Sequence, residues 1–208
     1  SVYDAVNNIN STIKSSIINQ SFEQHTLDEL LINLDGTENK KNLGANAILA
    51  VSLAFAHAKA KALNIPLYKT FGEEAGLSLP VPMMNIINGG AHANNDLDFQ
   101  EFMILPIGFD SFSDSLRAGV EIFHTLKNNL NKKSLATSVG DEGGFAPNIS
   151  SNNEALEVIL DSIEKAGYKS GEEVYLGLDV ASSEFYKDGS YMMSNGNSYD
   201  SKGFCTYL

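Results

Sequence analysis

The run SVGDEGGFAPN, from Ser138 to Asn148, places two adjacent carboxylates, Asp141 and Glu142, among three glycines and one proline. This composition favours an irregular loop, because glycine and proline do not suit the interior of a helix or strand. A carboxylate on such a loop can point into a cleft, where partial desolvation raises its pKa and lets it donate a proton near neutral pH. A solvated turn is the alternative interpretation, since glycine and aspartate are common in turns.

Two predicted strands upstream carry further polar side chains. The apolar run VPMMNIINGGAHANN predicts a strand followed by a loop that carries His92. The alternative interpretation is that His92 is an ordinary polar loop residue and not a catalytic one. The segment DFQEFMILP, residues 98–106, alternates like a strand buried on both faces, with Gln100 and Glu101 in its middle. A charge in that position needs a partner or a ligand, and a structural ion pair would also satisfy Glu101.

A third predicted strand, residues 174–178, leads directly into Asp179. A carboxylate at the carboxyl end of a core strand lies where barrel enzymes place metal ligands. A helix or turn cap is the alternative for Asp179. Because the polar groups follow separate apolar runs in one ordered series, we favour a shared site over four unrelated surface residues.

Five segments of the chain resemble the enolase family: LDGTENKKNLGANAILAVSLA, PVPMMNIINGGAHA, FQEFMILP, SVGDEGGFAPN and LDVASSEFY. The resemblance is collinear over nearly all of the chain. It implies an α/β fold in which part of the enolase N-terminal α+β domain is followed by an incomplete α/β (TIM-like) barrel. Residues 1–72 would be the helical C-terminal part of the N-terminal domain, and residues 73–208 the first part of the barrel domain.

Enolase is phosphopyruvate hydratase, a glycolytic lyase that uses Mg²⁺ to dehydrate 2-phosphoglycerate to phosphoenolpyruvate. The resemblance implies that Glu142 protonates the departing hydroxyl, with Glu101 beside it as the second catalytic carboxylate. It implies that His92, Gln100 and Glu101 contact the substrate. Asp179 would be one of three carboxylates that hold Mg²⁺, a hard cation that prefers oxygen ligands.

Two other functions remain open at this point. An acid-sugar dehydratase of the enolase superfamily would share a barrel and an aspartate at a strand end, although it would not be expected to carry both GGAHA and GDEGGFAPN. A non-catalytic, surface-binding enolase relative is the second alternative. The presence of Glu101, Glu142 and Asp179 argues against loss of the catalytic site.

The length of the chain predicts that the barrel is incomplete. From Pro80 to Leu208 there are 129 residues, whereas a closed eight-stranded barrel needs about 250. We therefore expect an internal part of an enolase, with the catalytic lysines and two metal-binding carboxylates after Leu208. Arg117 is the only arginine, so the expected arginine clamp on the substrate phosphate is missing as well. We expect these 208 residues alone to show no measurable enolase activity and to bind Mg²⁺ weakly.

Composition limits the classes of partner. The 26 acidic and 14 basic residues give a net charge of −12, which argues against a surface for nucleic acid or an anionic membrane. No apolar run approaches the length of a membrane span. Cys205 is the only cysteine, which suits a reducing compartment. We expect a cytoplasmic protein, with a cell-surface or secreted pool left open, and the resemblance implies a homodimer.

Overall fold

The structure is a computed structural model that describes residues 2–72 and 77–208. The chain divides into two compact units, Ser1–Ser78 and Leu79–Leu208. The predicted boundary between residues 72 and 73 adjoins residues 73–76, which lie outside the described residues. In the described ranges, no helix combines the length and the apolar character that crossing a membrane would require.

The first unit is helical in its described part. A continuous helical segment consists of α1 (Val2–Asn8), a π-helical stretch (Ile9–Ile13) and α2 (Lys14–Ile17). It is followed by α3 (Gln24–Asp35), α4 (Ala45–Leu63) and a short 3₁₀ helix (Leu67–Thr70). Apolar side chains from these helices and from the turn before α4 form one buried cluster: Ala5, Ile13, Leu27, Leu31, Leu43 and Ala47. The helices are therefore held together mainly by burial of aliphatic surface.

The second unit is built on a three-stranded sheet in the order β1 (Met84–Asn88), β2 (Glu101–Pro106), β3 (Val174–Asp179). Two long helices lie between β2 and β3 in the chain, α5 (Phe112–Lys132) and α6 (Asn152–Lys165). The sheet and helices share a core whose fully buried members include Phe102, Ile104, Ile122, Leu126, Ile159 and Ile163. This core fixes the sheet edge at which the predicted site residues lie.

Strand β2 runs antiparallel to both of its neighbours. A standard α/β barrel has parallel strands throughout, so this sheet departs from that arrangement at its second strand. The strand begins at Glu101 rather than at Asp98, which means that Glu101 is its first residue and not, as predicted, near its middle. Only Phe102, Ile104 and Pro106 are buried in β2, so one face of the strand is buried and the other is half-exposed.

Strand β1 contains one extra residue, Ile86, between its paired positions Asn85 and Ile87. This bulge shifts the register, so that Ile87 pairs with Phe102 and Asn88 pairs with Glu101. Bulges of this type bend a strand and re-aim its side chains. The side chain of Asn88 therefore faces the same way as that of Glu101.

Strand β3 differs from the predicted buried strand. Only Val174 is fully buried, while Tyr175 and Leu178 are 44% and 37% exposed. In the described residues β3 is an edge of the sheet, with β2 as its only partner, and this explains the exposure.

A small second sheet follows, formed by β4 (Tyr186–Lys187), β5 (Ser190–Met192) and β6 (Ser198–Tyr199), and the described chain ends in α7 (Ser201–Tyr207). The Tyr191 and Phe204 rings stack with centroids 4.4 Å apart, which joins this sheet to α7. The Ser194 backbone N–H donates to Asp98 Oδ1 at 2.6 Å. This bond fastens the turn between β5 and β6 to the segment that precedes β2.

Candidate active site

Three polar residues form a row across one end of the sheet. Asn88 ends β1 and lies opposite Glu101, which begins β2, and Glu101 in turn lies opposite Asp179, which ends β3. Directly opposed residues of an antiparallel pair project their side chains from the same face, with Cβ atoms about 5 Å apart. The antiparallel direction of β2 thus brings its first residue to the edge where its neighbours end.

The glycine-rich loop, residues 138–148, is anchored on β1 by Phe145. The Phe145 N–H donates to the Ile86 carbonyl, and the Asn88 N–H donates to the Phe145 carbonyl, both at 2.9 Å. The Phe145 ring is buried and stacks on Phe123 of α5 with centroids 4.3 Å apart. Glu142 lies three residues before Phe145 in the chain. The fixed position of Phe145 therefore holds Glu142 near the end of β1.

Two glycines of this loop lie against the Asn88 side chain. A Cβ atom added at Gly144 would lie 2.5 Å from Asn88 Oδ1, and one added at Gly140 would lie 2.7 Å from the His92 carbonyl oxygen and 2.9 Å from Asn88 Cβ. Real Cβ atoms do not approach other atoms this closely, so the loop passes Asn88 at a distance that only glycine allows. Close packing against Asn88, as well as the turns of the backbone, therefore explains why this loop is rich in glycine.

His92 lies at the end of a short 3₁₀ helix, Gly90–His92, that follows β1. Its Nδ1 atom is 3.2 Å from Glu142 Oε1, at ion-pair distance. This Nδ1 atom is buried and makes no hydrogen bond within the described part of the chain. The Asp141 N–H donates to the His92 carbonyl at 3.3 Å, which joins the glycine-rich loop to the histidine-bearing loop.

His92, Glu101 and Glu142 converge, and one ligand atom of each lies within 4.8 Å of those of the other two. A hydrogen-bonding contact with the Glu142 carboxyl, burial, and the negative charges of Glu142 and Asp179 raise the pKa of Glu101 to about 7, while His92 acts in the opposite direction. Two carboxyls in contact share a proton readily, because both cannot be ionised together without strong repulsion. The pair is thus suited to holding and donating a proton near neutral pH.

Asp179 is half-buried at the end of β3. Its Oδ1 atom accepts the Ala181 N–H at 3.0 Å, which orients the carboxylate, and Ala181 takes the left-handed conformation (φ 47°) that this turn requires. The Asp179 carbonyl accepts the N–H of Gln100 at 3.1 Å. An oriented carboxylate at a strand end supplies the oxygen ligands that Mg²⁺ prefers, so Asp179 fits the predicted metal role.

The structure brings the five predicted site residues to one edge of the sheet: His92, Gln100, Glu101, Glu142 and Asp179. Gln100 is placed there by its backbone, whose carbonyl accepts the Gly89 N–H at 3.0 Å. The predicted position of Glu101 in the middle of its strand was wrong. Glu101 lies at this edge because it is the first residue of a strand that runs antiparallel to its neighbours. The catalytic and binding roles of these residues stay predictions.

Sequence reasoning missed Asn88 as a site residue. Asn88 is fully buried, and neither its Nδ2 nor its Oδ1 atom has a hydrogen-bond partner among the described residues. A buried amide without a partner is costly and uncommon in native proteins. The asparagine was visible at the end of the first apolar run, but its importance depends on its pairing with Glu101, which local sequence does not reveal.

Two family models match the chain: the enolase N-terminal domain over residues 1–71, and the enolase C-terminal TIM barrel domain over residues 76–206. The chain belongs to the enolase family. Its fold is accordingly the α/β combination of an enolase N-terminal domain followed by elements of a TIM barrel. The enolase domains indicate a lyase-type enzyme of a family that is generally metal-dependent.

Proposed function

We propose that the protein carrying this sequence is a phosphopyruvate hydratase, the glycolytic enolase, which removes water from 2-phosphoglycerate to give phosphoenolpyruvate. The observation that supports this most directly is the contact between Glu101 and Glu142, in which the pKa of Glu101 rises to about 7 beside an oriented Asp179. Elimination of water needs an acid that can protonate a hydroxyl at neutral pH, and this pair meets that need.

In the proposed reaction, Glu142 gives its proton to the hydroxyl on the third carbon, the carbon–oxygen bond breaks, and water leaves. The electron pair for the new double bond comes from the carbon–hydrogen bond at the second carbon. We assign removal of that proton to a lysine base after Leu208, as the family resemblance implies. Glu101 tunes and shares the proton of the pair, since its carboxyl is in hydrogen-bonding contact with Glu142.

Mg²⁺ would be held by Asp179 together with further carboxylates of the protein. When bound, Mg²⁺ stabilises the second negative charge that develops on the substrate carboxylate after proton removal. Sites of the enolase superfamily generally combine a lysine or histidine base with Mg²⁺, which agrees with this division of roles. Asp179 suits this cation better than the His92 cluster does, because Mg²⁺ prefers oxygen ligands to imidazole nitrogen.

His92 and Gln100 are assigned to substrate contact. The His92 backbone is hydrogen-bonded to Asp141, while the His92 imidazole is half-exposed. The ring can therefore contact a ligand that enters beside Glu142. Gln100 adjoins the carboxylate row through its backbone bond to Asp179. These positions would orient the substrate between the acid pair and the metal ligand.

The proposal is tested on the protein that carries this sequence with its catalytic lysine. Phosphoenolpyruvate formation from 2-phosphoglycerate is followed by absorbance, with Mg²⁺ and after chelation with EDTA. We expect turnover that depends on Mg²⁺ and no dehydration of a panel of acid sugars. Turnover of an acid sugar without turnover of 2-phosphoglycerate would assign the chain to a different dehydratase of the superfamily, and failure to turn over any of them would favour a non-catalytic relative.

We also propose a homodimer in the cytoplasm, with a small molecule and not a nucleic acid as its ligand. The excess of acidic residues gives a net charge of −12, which argues against nucleic acid as the ligand. Light scattering after size-exclusion chromatography measures the oligomeric state, and a monomeric mass across the concentration range would contradict the dimer.

A further inference from the structure

We propose that Asn152, the first residue of α6, is a positioning residue for Gln100 and Glu101. Asn152 is buried, and its Oδ1 atom accepts two backbone N–H groups, from Asp98 at 3.2 Å and from Phe99 at 3.4 Å. These two donors come directly before Gln100 in the chain. The inference rests on the proposed function, which assigns Gln100 to substrate contact and Glu101 to the acid pair.

The segment that leads into β2 is held from two sides. The Gln100 N–H donates to the Asp179 carbonyl of β3 at 3.1 Å, whereas the preceding N–H, that of Phe99, donates to Asn152 of α6. Since Gln100 and Glu101 follow Phe99 directly, the direction of their side chains depends on both anchors. Displacement of reacting groups by about 1 Å can lower a reaction rate about 10²-fold, so an anchor one or two residues away affects catalysis.

The side chains of Asp98 and Asn152 form a reciprocal pair. Asp98 Oδ2 accepts the Asn152 Nδ2–H at 3.3 Å, while the Asp98 backbone N–H donates to Asn152 Oδ1. The other carboxylate oxygen, Asp98 Oδ1, accepts the Ser194 N–H at 2.6 Å. A rotation of the Asn152 amide by half a turn would set donor against donor, so these bonds fix its orientation. A buried amide with satisfied hydrogen bonds favours one arrangement of the chain around it.

Helix α6 does not need Asn152 as its cap. The Ser151 side chain accepts the Glu154 N–H at 3.2 Å, and Glu154 Oε2 accepts the Ser150 N–H at 3.1 Å, so the residues around the helix start already cap it. Asn152 instead bonds to residues 53 and 54 positions earlier in the chain. This favours a role in placing the distant segment over a role in forming the helix.

Other contacts keep the segment in place when the amide is replaced. Phe99 is buried, and its ring stacks with Phe102 at a centroid distance of 6.1 Å and lies edge-on to Tyr207 at 6.2 Å. We therefore expect substitutions at Asn152 to shift the segment and not to unfold it.

A swap of the two side chains tests this inference. The double variant Asp98→Asn/Asn152→Asp keeps the net charge and can form all four hydrogen bonds again, because the amide and the carboxylate exchange places. Asn152→Asp alone sets two carboxylates against each other. Asp98→Asn alone offers one amide oxygen where the carboxylate offered two acceptors, so either Asn152 or Ser194 loses its bond.

The variants are made in the protein that carries this sequence with its catalytic lysine, and two rates are measured at saturating 2-phosphoglycerate and Mg²⁺. Each single variant should lower the dehydration rate at least about tenfold, since a small displacement of the acid pair is costly. Exchange of the carbon-bound proton of the substrate should fall much less, because the proposed reaction assigns that step to a base after Leu208. The double variant should recover most of the lost dehydration rate.

Asn129→Leu is the matched control, because it also removes a buried asparagine that makes hydrogen bonds, to Asp161 and Ser162. It should lower stability and leave the ratio of the two rates unchanged. Far-ultraviolet circular dichroism checks the fold of every variant, and if one single variant unfolds the other decides.

Hydrogen–deuterium exchange, measured by mass spectrometry, reports on the segment independently of activity. Peptides that cover residues 97–102 should exchange faster in each single variant and at the original rate in the double variant. An equal loss of both reaction rates, unchanged exchange of these peptides, or no recovery in the double variant would overturn the inference. If the unsubstituted protein does not turn over 2-phosphoglycerate while peptide exchange follows the variants as expected, the proposed function alone is overturned.

Discussion

Glu101 lies directly opposite Asp179 in the pairing of β2 with β3, so a carboxyl that begins one strand faces a carboxylate that ends the next. The charge of Asp179 is one of the causes that raise the pKa of Glu101 to about 7, after its contact with Glu142 and its burial. The register of the sheet therefore places two carboxyl groups in different surroundings at one edge. The Glu101 carboxyl contacts that of Glu142, whereas Asp179 Oδ1 accepts the Ala181 N–H.

Replacing the proposed acid tests its role in the reaction. In the complete enzyme, Glu142→Gln keeps the size of the side chain but removes the proton, so we expect dehydration to fall by about 10² to 10⁴, the usual contribution of general acid catalysis. Exchange of the carbon-bound proton of 2-phosphoglycerate with solvent, measured by NMR in deuterated water, should continue because the proposed reaction assigns that step to a different base.

Glu157→Gln serves as the control, since Glu157 is an exposed glutamate on α6 and should leave both rates unchanged. If proton exchange and dehydration decreased together in Glu142→Gln, Glu142 would not be a separate acid.

The raised pKa of Glu101 predicts the pH dependence of stability. The folded-state pKa is about 7 and the ordinary value is 4.5, so the folded chain holds this proton more tightly than the unfolded chain. The resulting stabilisation is complete below the ordinary value and is lost as pH rises through the folded-state pKa. We expect the urea midpoint of the chain to fall over this interval. Glu101→Gln should remove that part of the fall, whereas Glu157→Gln should keep it; identical pH profiles for all three proteins would contradict the assignment.

Asn88 and Asn129 make a matched pair of buried asparagines with opposite predicted behaviour. Asn129 donates to Asp161 Oδ2 at 3.1 Å and to Ser162 Oγ at 2.9 Å, whereas the Asn88 amide has no partner in the part of the chain that the structure describes. Asn88→Leu should therefore raise the free energy of unfolding of the metal-free chain by about 1 kcal/mol, and Asn129→Leu should lower it by about 1–3 kcal/mol. Urea denaturation measures both, and destabilisation of similar size in the two variants would show that Asn88 is satisfied in solution.

Gly144 is predicted to be intolerant of any side chain. A Cβ atom there would lie 2.5 Å from Asn88 Oδ1 and 3.0 Å from the Ile86 carbonyl carbon. We expect Gly144→Ala to destabilise the chain by about 1–3 kcal/mol, the usual cost of forcing extra volume into a packed site. Ser138→Ala, at an exposed position of the same loop, should change stability little. Equal unfolding midpoints for the two variants would mean that the loop moves away from Asn88 at no cost.

Local signals predicted those parts of the fold that local physics determines. A serine three residues before a glutamate is a capping-box sequence, and a glycine commonly follows the end of a helix. Both local signals hold at α6, where the Ser151 side chain accepts the Glu154 N–H at 3.2 Å and Gly167, just after the end, takes a positive φ of 92°. Helix α3 was not predicted, although Glu23 and Thr26 form a reciprocal capping box at its start. Its weaker apolar pattern gave no comparable signal.

The arrangement of the site depends on non-local pairing and was harder to predict. The alternation of residues 98–106 did not show that the strand starts only at Glu101, because an extended loop alternates in the same way. It also did not show that the strand runs antiparallel to its neighbours. The proximity of the site residues was predicted from strand ends, but the partner of Asn88 depends on a register that no single segment specifies.

The extra residue in β1 serves the glycine-rich loop and not the pairing with β2. Met84 lies opposite Ile104 and Asn88 lies opposite Glu101, while Ile86 between them has no partner in β2. A β1 that lacked Ile86 could keep both of these pairs in a regular ladder, so Asn88 would still face the same way as Glu101. The Ile86 carbonyl, however, accepts the Phe145 N–H at 2.9 Å. Deletion of this one residue should therefore release the loop that carries Glu142 and leave the pairing at the end of the strand in place.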